Sequence, residues 1–552
     1  MKKIEKLKDI PKPAWYSMTI VFLTLSICGI VIICVLWAFA NQLVYSYGII
    51  IDAGSTSTKM FLFKWPEIAT RTNGEVTQVK MCKSAPGISD FINDPNGAID
   101  GIEMCLNDEM MPLIPKRLRT KSFVYLGATA GMRIIEYRNP KAMRLIFEVV
   151  ERFLLSTGLK MKDGLRDVKI ISGSVEGVAA WITTNYLKDT LQGDKVTSGF
   201  MSKKETFGAL DLGGASTQIT FVSNGTIESG NTKVRLYGEN YNVYSHSYLC
   251  YGKSQAEYRL LAFLSKTWIA NYNPNQPLTP IDNPCMLKGD TASYILQKII
   301  TIPCVSGNYS QQNFGTSVDL PDSLKNIVLN VTYVGTADPD ACQKAVKNLF
   351  LQSPCSQTNC GFNNVYQPKI TGKFIAFAGF ALVYNQLVKV FKSPPKDNAD
   401  FIAKSRDYCS RNAPPVVTPT TQKEREKENW RKWRCFGFIY VFELLSAYGF
   451  NNPNWHSITF TNTIYNANLG WSLGYMINKT SMIPIEKPLI SMSLGAFVAI
   501  LIVFLVILSI GCLFAIISYK WYWLKPVTEK SSEVVSLNPK VNNISDDLTN
   551  KV

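Results

Sequence analysis

Two short stretches of this chain repeat one pattern. Ile51-Asp52-Ala53-Gly54-Ser55-Thr56-Ser57-Thr58 aligns with Leu210-Asp211-Leu212-Gly213-Gly214-Ala215-Ser216-Thr217, and Asp, Gly, Ser and Thr coincide. Each copy follows an apolar run (Tyr47 to Ile51, Phe207 to Leu210) and precedes another (Met60 to Phe63, Ile219 to Val222). Each is therefore expected to be a strand–turn–strand hairpin with a glycine- and hydroxyl-rich tip. Such a tip suits phosphate, because glycine lets the backbone come close and expose N–H groups, and hydroxyls add donors. An aspartate at the strand end repels phosphate directly. It can instead hold a divalent cation, or that cation's waters, which bridges to the phosphate. One such turn is most often only a turn. Two matched copies facing one another would clamp a polyphosphate.

Two further stretches lie between the copies. Gly127-Ala128-Thr129-Ala130-Gly131-Met132-Arg133 is a small-residue turn with a hydroxyl inside and a guanidinium at its end; alone it reads as a packing turn. Ile171-Ser172-Gly173-Ser174-Val175-Glu176-Gly177 puts a carboxylate between glycines. Glu176 can be a helix N-terminal acid, worth roughly 0.3–1 kcal/mol, or a general base that polarises water. A Gly-x-x-x-x-Gly-Lys-Ser/Thr loop and a His-Glu-x-x-His zinc motif are both absent. The two histidines, His246 and His456, are far apart and read as structural.

The elements that must position these residues form an α/β pattern. Phe123 to Leu126 and Val168 to Ile171 are further strand candidates, and Pro140 to Leu155 reads as a helix. Residues 411–421 form a loop by composition, and the charged stretch Lys423 to Arg434 reads as a solvated helix face.

The chain has 552 residues, 46% hydrophobic and 18% charged, which excludes a disordered protein. It is uncharged from Pro13 to Ile51 and again from Pro488 to Tyr519. Both runs exceed the ~20 residues that a membrane helix needs, which excludes an ordinary cytosolic enzyme. The expected order is a cytoplasmic tail (1–14), a retained membrane helix (15–42), an ectodomain, a second membrane helix (489–518) and a cytoplasmic tail (519–552). Lys2, Lys3, Lys6, Lys8 and Lys12 before the first run, and Lys520 and Lys525 after the second, place both ends in the cytosol. The net charge of +16 is spread along the chain, and the absence of a dense basic block argues against nucleic acid. Ten cysteines fall between the membrane runs: Cys82, Cys105, Cys250, Cys285, Cys304, Cys342, Cys355, Cys360, Cys409 and Cys435. An even set on the far side of a membrane reads as five disulfides. The sequons at Asn224, Asn308, Asn330 and Asn478 fit the same compartment, whereas Asn543 lies in the cytoplasmic tail.

With these residues in place, the chain resembles the ecto-nucleoside triphosphate diphosphohydrolases, the ecto-apyrase family. Five motifs carry the resemblance in order: Asp52 to Thr58, Gly127 to Arg133, Ser172 to Gly177 running into Trp181-Ile182-Thr183-Thr184-Asn185-Tyr186-Leu187, Ala209 to Gln218, and Trp471-Ser472-Leu473-Gly474-Tyr475-Met476. The resemblance implies a two-lobed α/β ectodomain like actin and sugar kinases, with lobe I over 46–172 plus a return segment 462–487, and lobe II over 173–461. It implies the disulfides Cys82–Cys105, Cys250–Cys304, Cys285–Cys342, Cys355–Cys360 and Cys409–Cys435. It implies Ca²⁺ or Mg²⁺ between Asp52 and Asp211. Gly54, Ser55, Thr56, Ser57, Gly213, Gly214, Ala215 and Ser216 would hold phosphate, with backbone N–H groups supplied by Gly54, Gly213 and Gly214. Glu176 would be the base, with Thr129 and Gln218 placing the water.

Three departures stand out. Ser57 occupies a place where the family often has His. Val175 replaces the first of two acids. Leu382 stands where a base-stacking aromatic is expected, leaving Phe380, Tyr384 and Tyr440 as further base-contact candidates, with Trp430 and Trp433 weaker ones. The implied activity is hydrolysis of extracellular nucleoside tri- and diphosphates to monophosphates at the plasma membrane, by a two-pass protein able to form homo-oligomers through its membrane helices. The rivals are a phosphotransferase, since sugar kinases share the tips, and a catalytically inactive nucleotide-binding receptor or adhesion protein. Intact Asp52, Glu176 and Asp211 argue against the latter.

Overall fold

The structure is a computed structural model that describes residues 12–41, 45–66, 75–161, 167–191, 204–237, 239–350, 354–415, 420–480 and 493–523. The N-terminal lysines before residue 12, Lys525, Asn543 and most of both expected tails lie outside these residues. The terminal segments form one compact unit and Val44–Glu486 another.

The chain begins with α1 (Lys12–Asn41). In the second unit, β1 (Tyr45–Ala53) runs antiparallel to β2 (Thr58–Pro66), which pairs with β3 (Thr77–Ser84). On its other side β1 runs parallel to β4 (Phe123–Ala128), and β4 to β5 (Val168–Ile170), giving the order β3-β2-β1-β4-β5. Helices α2 (Ala130–Arg138) and α3 (Pro140–Ser156) connect β4 to β5, and α4 (Gly173–Leu187) follows. The second sheet opens with β6 (Gly208–Leu212), β7 (Ser216–Val222), β8 (Asn231–Leu236) and β9 (Glu239–Leu249), after which comes α5 (Lys253–Ala270). A small sheet of β10 (Ile281–Asn283), β11 (Thr291–Ile295) and β12 (Asn330–Gly335) intervenes. The chain returns through β13 (Phe374–Ala378), α6 (Gly379–Phe391), α7 (Gln422–Lys432), α8 (Arg434–Tyr448), β14 (Ile458–Phe460) and α9 (Trp471–Thr480).

The large second sheet has the order β14-β13-β6-β7-β9-β8. Strand for strand, β9-β7-β6-β13-β14 repeats β3-β2-β1-β4-β5, with the same antiparallel and parallel pairings. The eight-residue sequence repeat is thus the visible remnant of a duplicated five-strand sheet.

The apolar runs explain the layering. Ile49, Ile50 and Ile51 of β1 are all fully buried, as expected for a central strand covered on both faces. One core packs Ile49, Ile51, Leu126 and Ile146 on the outer face of the first sheet. A second packs Ile50, Phe63 and Tyr125 of that sheet, with Trp181 and Met476, against Ala209, Val243 and Phe377 of the other. Helices α4 and α9 therefore lie between the two sheets. α4 is apolar nearly all round, which suits a helix with no solvent face. α9 approaches it so closely that a Cβ on Gly474 would strike the Ala179 carbonyl, and Gly474 N–H donates to Thr183 Oγ1 at 2.8 Å.

The five disulfides are Cys82–Cys105, Cys250–Cys304, Cys285–Cys342, Cys355–Cys360 and Cys409–Cys435. Asn224, Asn308 and Asn330 are exposed and Asn478 is half-buried. In the other unit α1 packs against α10 (Leu494–Trp523): Trp37 stacks on Phe497 with ring centres 4.5 Å apart, and Gly29 lies against Phe504. Their apolar spans, Tyr16–Ala38 and Leu494–Lys520, are long enough to cross a membrane.

Candidate active site

Both hairpins form as their spacing predicts. Ala53 pairs with Thr58 in the first and Leu212 with Thr217 in the second, so Asp52 and Asp211 each stand one residue before a strand end. The tips face each other. A Cβ built on Gly214 would lie 2.5 Å from Ser55 Oγ and 3.0 Å from Thr56 Cγ2, so a methyl there would push on these two side chains of the first tip. The second tip is tied to the core behind it, with Thr217 Oγ1 donating to the Asp211 carbonyl (2.7 Å) and Tyr448 Oη 3.1 Å from that Thr217 hydroxyl.

Two backbone donors assigned to phosphate prove to be engaged. Gly54 N–H donates to the Asp52 carbonyl (3.1 Å) and Gly213 N–H to that of Ser216 (2.9 Å), because each tight turn closes on itself. The Gly214 N–H has no acceptor among the described residues. Ser57 and Ser216 are buried, and Ser55 is half-buried.

Glu176 lies in the first turn of α4, whose N-cap Ser172 accepts from Val175 N–H at 3.2 Å. Its Oε2 accepts from both the Arg133 guanidinium and Gln218 Nε2, the latter at 3.0 Å. Gln218 Nε2 also lies 2.8 Å from Ser216 Oγ and 3.0 Å from Ser247 Oγ. Gln218 Oε1 is buried without a partner among the described residues, leaving an acceptor next to the carboxylate. Thr129 is buried directly before α2; its N–H donates to the Ala53 carbonyl (3.2 Å), and its hydroxyl does not cap the helix. The sequence pattern showed Arg133 only as a terminal guanidinium and gave Ser247 no role; the Gln218–Ser247 register pair between β7 and β9 brings that serine in.

The electrostatics are those of an anionic cleft withdrawn from water. Burial pushes the Glu176 carboxyl up to about 8; Arg133 opposes this, and Asp211 and Asp52 add to it. Burial pushes Asp211 up to about 7, with Lys59 opposing and Asp52 adding. Asp52 is raised by burial against Lys59 and the Trp471 indole. Mutually repelling carboxylates at two strand ends call for a cation, and an all-oxygen donor pair suits Ca²⁺ or Mg²⁺. Among the described residues no group of three or more His, Cys, Asp or Glu forms a protein cage.

Two base-contact candidates are corrected. Phe380 and Tyr440 are fully buried in the core; Tyr440 donates to the Tyr251 carbonyl at 2.5 Å and stacks on Phe436. Both rings are spent on packing, because α6 and α8 turn these positions inward. Trp433 is buried as well and donates to Tyr294 Oη at 2.8 Å. Tyr384 is half-buried and stacked on Phe460, with ring centres 4.2 Å apart. Leu382 is 37% exposed and Trp430 45%. Lys253 Nζ lies 4.7 Å from the Trp430 ring centre, and Lys253 N–H donates to the Gly213 carbonyl at 2.9 Å, so Lys253 links the second tip to that indole. His246 is half-buried, and burial lowers it to about 4.

The sequence matches the GDA1/CD39 (nucleoside phosphatase) family over residues 40–492. This chain belongs to that family. It is 36% identical over 449 residues to ectonucleoside triphosphate diphosphohydrolase 8 of Gallus gallus, covering 80% of this chain and 84% of that one. It is 34% identical over 495 residues to ectonucleoside triphosphate diphosphohydrolase 1 of Mus musculus, covering 87% and 91%. Among solved structures, a nucleoside triphosphate hydrolase from Neospora caninum superposes with a TM-score of 0.56 at 17% identity, covering 79% of this chain and 92% of that one. The fold of this nucleoside phosphatase is thus shared with that hydrolase.

Proposed function

We propose that this phosphatase is a membrane-anchored ecto-apyrase. It cuts nucleoside tri- and diphosphates to monophosphates on the far side of the plasma membrane from its two termini. The carrying observation is the meeting of four parts from four elements: Asp52 after β1's apolar run, Asp211 on β6, Gln218 on β7 and Glu176 on α4. Asp52 and Asp211 would hold Ca²⁺ or Mg²⁺. When bound, that ion supplies charge neutralisation to the phosphates. Ser55, Ser57, Ser216 and the Gly214 N–H orient the terminal phosphoryl. Glu176 takes a proton from water, and the Gln218 carbonyl oxygen accepts that water's other hydrogen, aiming its lone pair in line with the scissile bond. Thr129 borders the same space. The base is already buried and hydrogen-bonded, so positioning and fixed charge carry most of the barrier. No covalent intermediate is needed.

Free phosphate measured from ATP and ADP, with and without EDTA, tests this reading. Release from both nucleotides, abolished by EDTA, is expected. A phosphorylated acceptor in place of free phosphate would favour a phosphotransferase, and no turnover with tight nucleotide binding would favour a receptor.

A further inference from the structure

Lys59 has no role in the sequence pattern, yet the duplicated fold gives it a place. In the second hairpin the residue opposite Asp211 is Gln218, and Gln218 demonstrably faces the reaction centre, since it donates to Glu176. In the first hairpin the residue opposite Asp52 is Lys59. Directly opposed residues of an antiparallel pair project from the same face, with Cβ atoms about 4.5–5.5 Å apart. The two hairpins differ at this register position: an amide serves one tip and an ammonium the other. Lys59 is half-buried and, among the described residues, forms no ion pair within 4.0 Å. Register sets it across from Asp52, and the tip it serves faces the Asp211 tip, where a Cβ on Gly214 would lie 2.5 Å from Ser55 Oγ.

We propose that Lys59 is a resident cation of the phosphate clamp, sharing the Asp52–Asp211 floor with the divalent ion and giving the nucleotide's phosphates a second positive contact. This rests on the nucleotide-hydrolase reading and extends it. Two effects follow from placing a fixed positive charge there. It repels a divalent cation and so weakens its binding in the absence of nucleotide. It also attracts polyphosphate when divalent cation is scarce. At the effective dielectric of a protein surface, a unit charge several ångströms away is worth a kilocalorie or more, so removing it should change affinity by about tenfold.

The test uses the full-length chain in detergent, as wild type, Lys59→Arg, Lys59→Gln and Lys59→Ser, the serine variant standing in should the glutamine variant fail to fold. Calorimetry measures Ca²⁺ alone, and then α,β-methylene-ADP in EDTA. The neutral variants should bind Ca²⁺ about tenfold tighter and the metal-free analogue about tenfold weaker, with Lys59→Arg close to wild type in both. Unchanged or weaker Ca²⁺ binding in the neutral variants, unchanged analogue binding, or an arginine variant that behaves like glutamine overturns the proposal. So does Ca²⁺ binding that is undetectable in every variant. Both shifts in a protein that releases no phosphate would leave Lys59 in this role and sink the hydrolase reading. Normal hydrolysis without the shifts would do the reverse.

Discussion

Arg133 and Gln218 donate to the same oxygen, Oε2, of Glu176. The carboxylate proposed as the general base is thus fixed from two sides, by a guanidinium from α2 and an amide from β7. Glu176→Gln should leave nucleotide binding nearly intact and cut turnover by ~10²–10⁴, the usual worth of a general base. Steady-state kinetics with ATP measure this; a variant retaining a third of the wild-type rate would remove Glu176 from that role.

Arg133 holds Glu176 below the value that burial alone would set. Arg133→Met should therefore make the base harder to ionise and shift the rising limb of the pH–rate profile to higher pH, by about 1–2 units. Arg133→Lys should restore much of the shift. A profile that falls in amplitude but does not move would make Arg133 a purely structural support.

In the proposed reading the two hairpins act as jaws of one clamp. Asp52→Ala and Asp211→Ala should each abolish metal-dependent hydrolysis, and the double variant should be little worse than either, as expected for residues acting as a unit. Full activity of either single variant at saturating Ca²⁺ contradicts the arrangement.

Buried carboxylates also set a pH dependence of stability. The Glu176 carboxyl rises from 4.5 to about 8 on folding, and Asp211 from 3.8 to about 7. Folding favours their protonated forms. Their contribution is greatest below about pH 4 and is lost as the pH climbs through 7 to 8. In EDTA, the melting temperature should fall across that window more steeply for wild type than for Glu176→Gln. Ca²⁺ should raise it more at pH 8 than at pH 5. Equal metal-induced shifts at both values would show that these carboxylates do not meet the ion.

In the proposed reading the base contact is the least furnished part of the cleft. Leu382 is exposed where the family places a stacking aromatic, while Phe380 and Tyr440 are buried. Stacking of a base on a ring is worth roughly 1–3 kcal/mol in nucleic-acid binders. The enzyme should therefore discriminate weakly among ATP, GTP, UTP and CTP. Leu382→Tyr should lower the Michaelis constant for purine nucleotides and leave turnover largely unchanged. A wild-type preference above about 100-fold for one base, more than a missing stack is worth, would place a platform elsewhere, with the exposed Trp430 the first to replace by Ala.

By itself the sequence marked the main elements and the residues proposed for the cleft. Apolar runs ending in Asp-x-Gly marked both hairpins, because a buried strand must be apolar and a tight turn needs glycine. The two uncharged runs marked the long helices for the same reason of solvent compatibility. The resemblance supplied the pairing of the ten cysteines, which spacing could not. Tertiary structure alone decided the rest. That β9-β7-β6-β13-β14 repeats β3-β2-β1-β4-β5 depends on hydrogen bonds between strands far apart in the chain, of which only eight residues keep a trace. Arg133 reaches Glu176 only because α2 and α4 converge at the ends of parallel strands. Phe380 and Tyr440 look like free aromatics in the sequence, but helix rotation decides which ring faces the core. Gly54 and Gly213 look like open donors, but the turns they permit consume their own N–H groups. Lys59 carries no motif; it becomes visible once strand register sets it across from Asp52, because register, not sequence distance, decides which charges share a cleft.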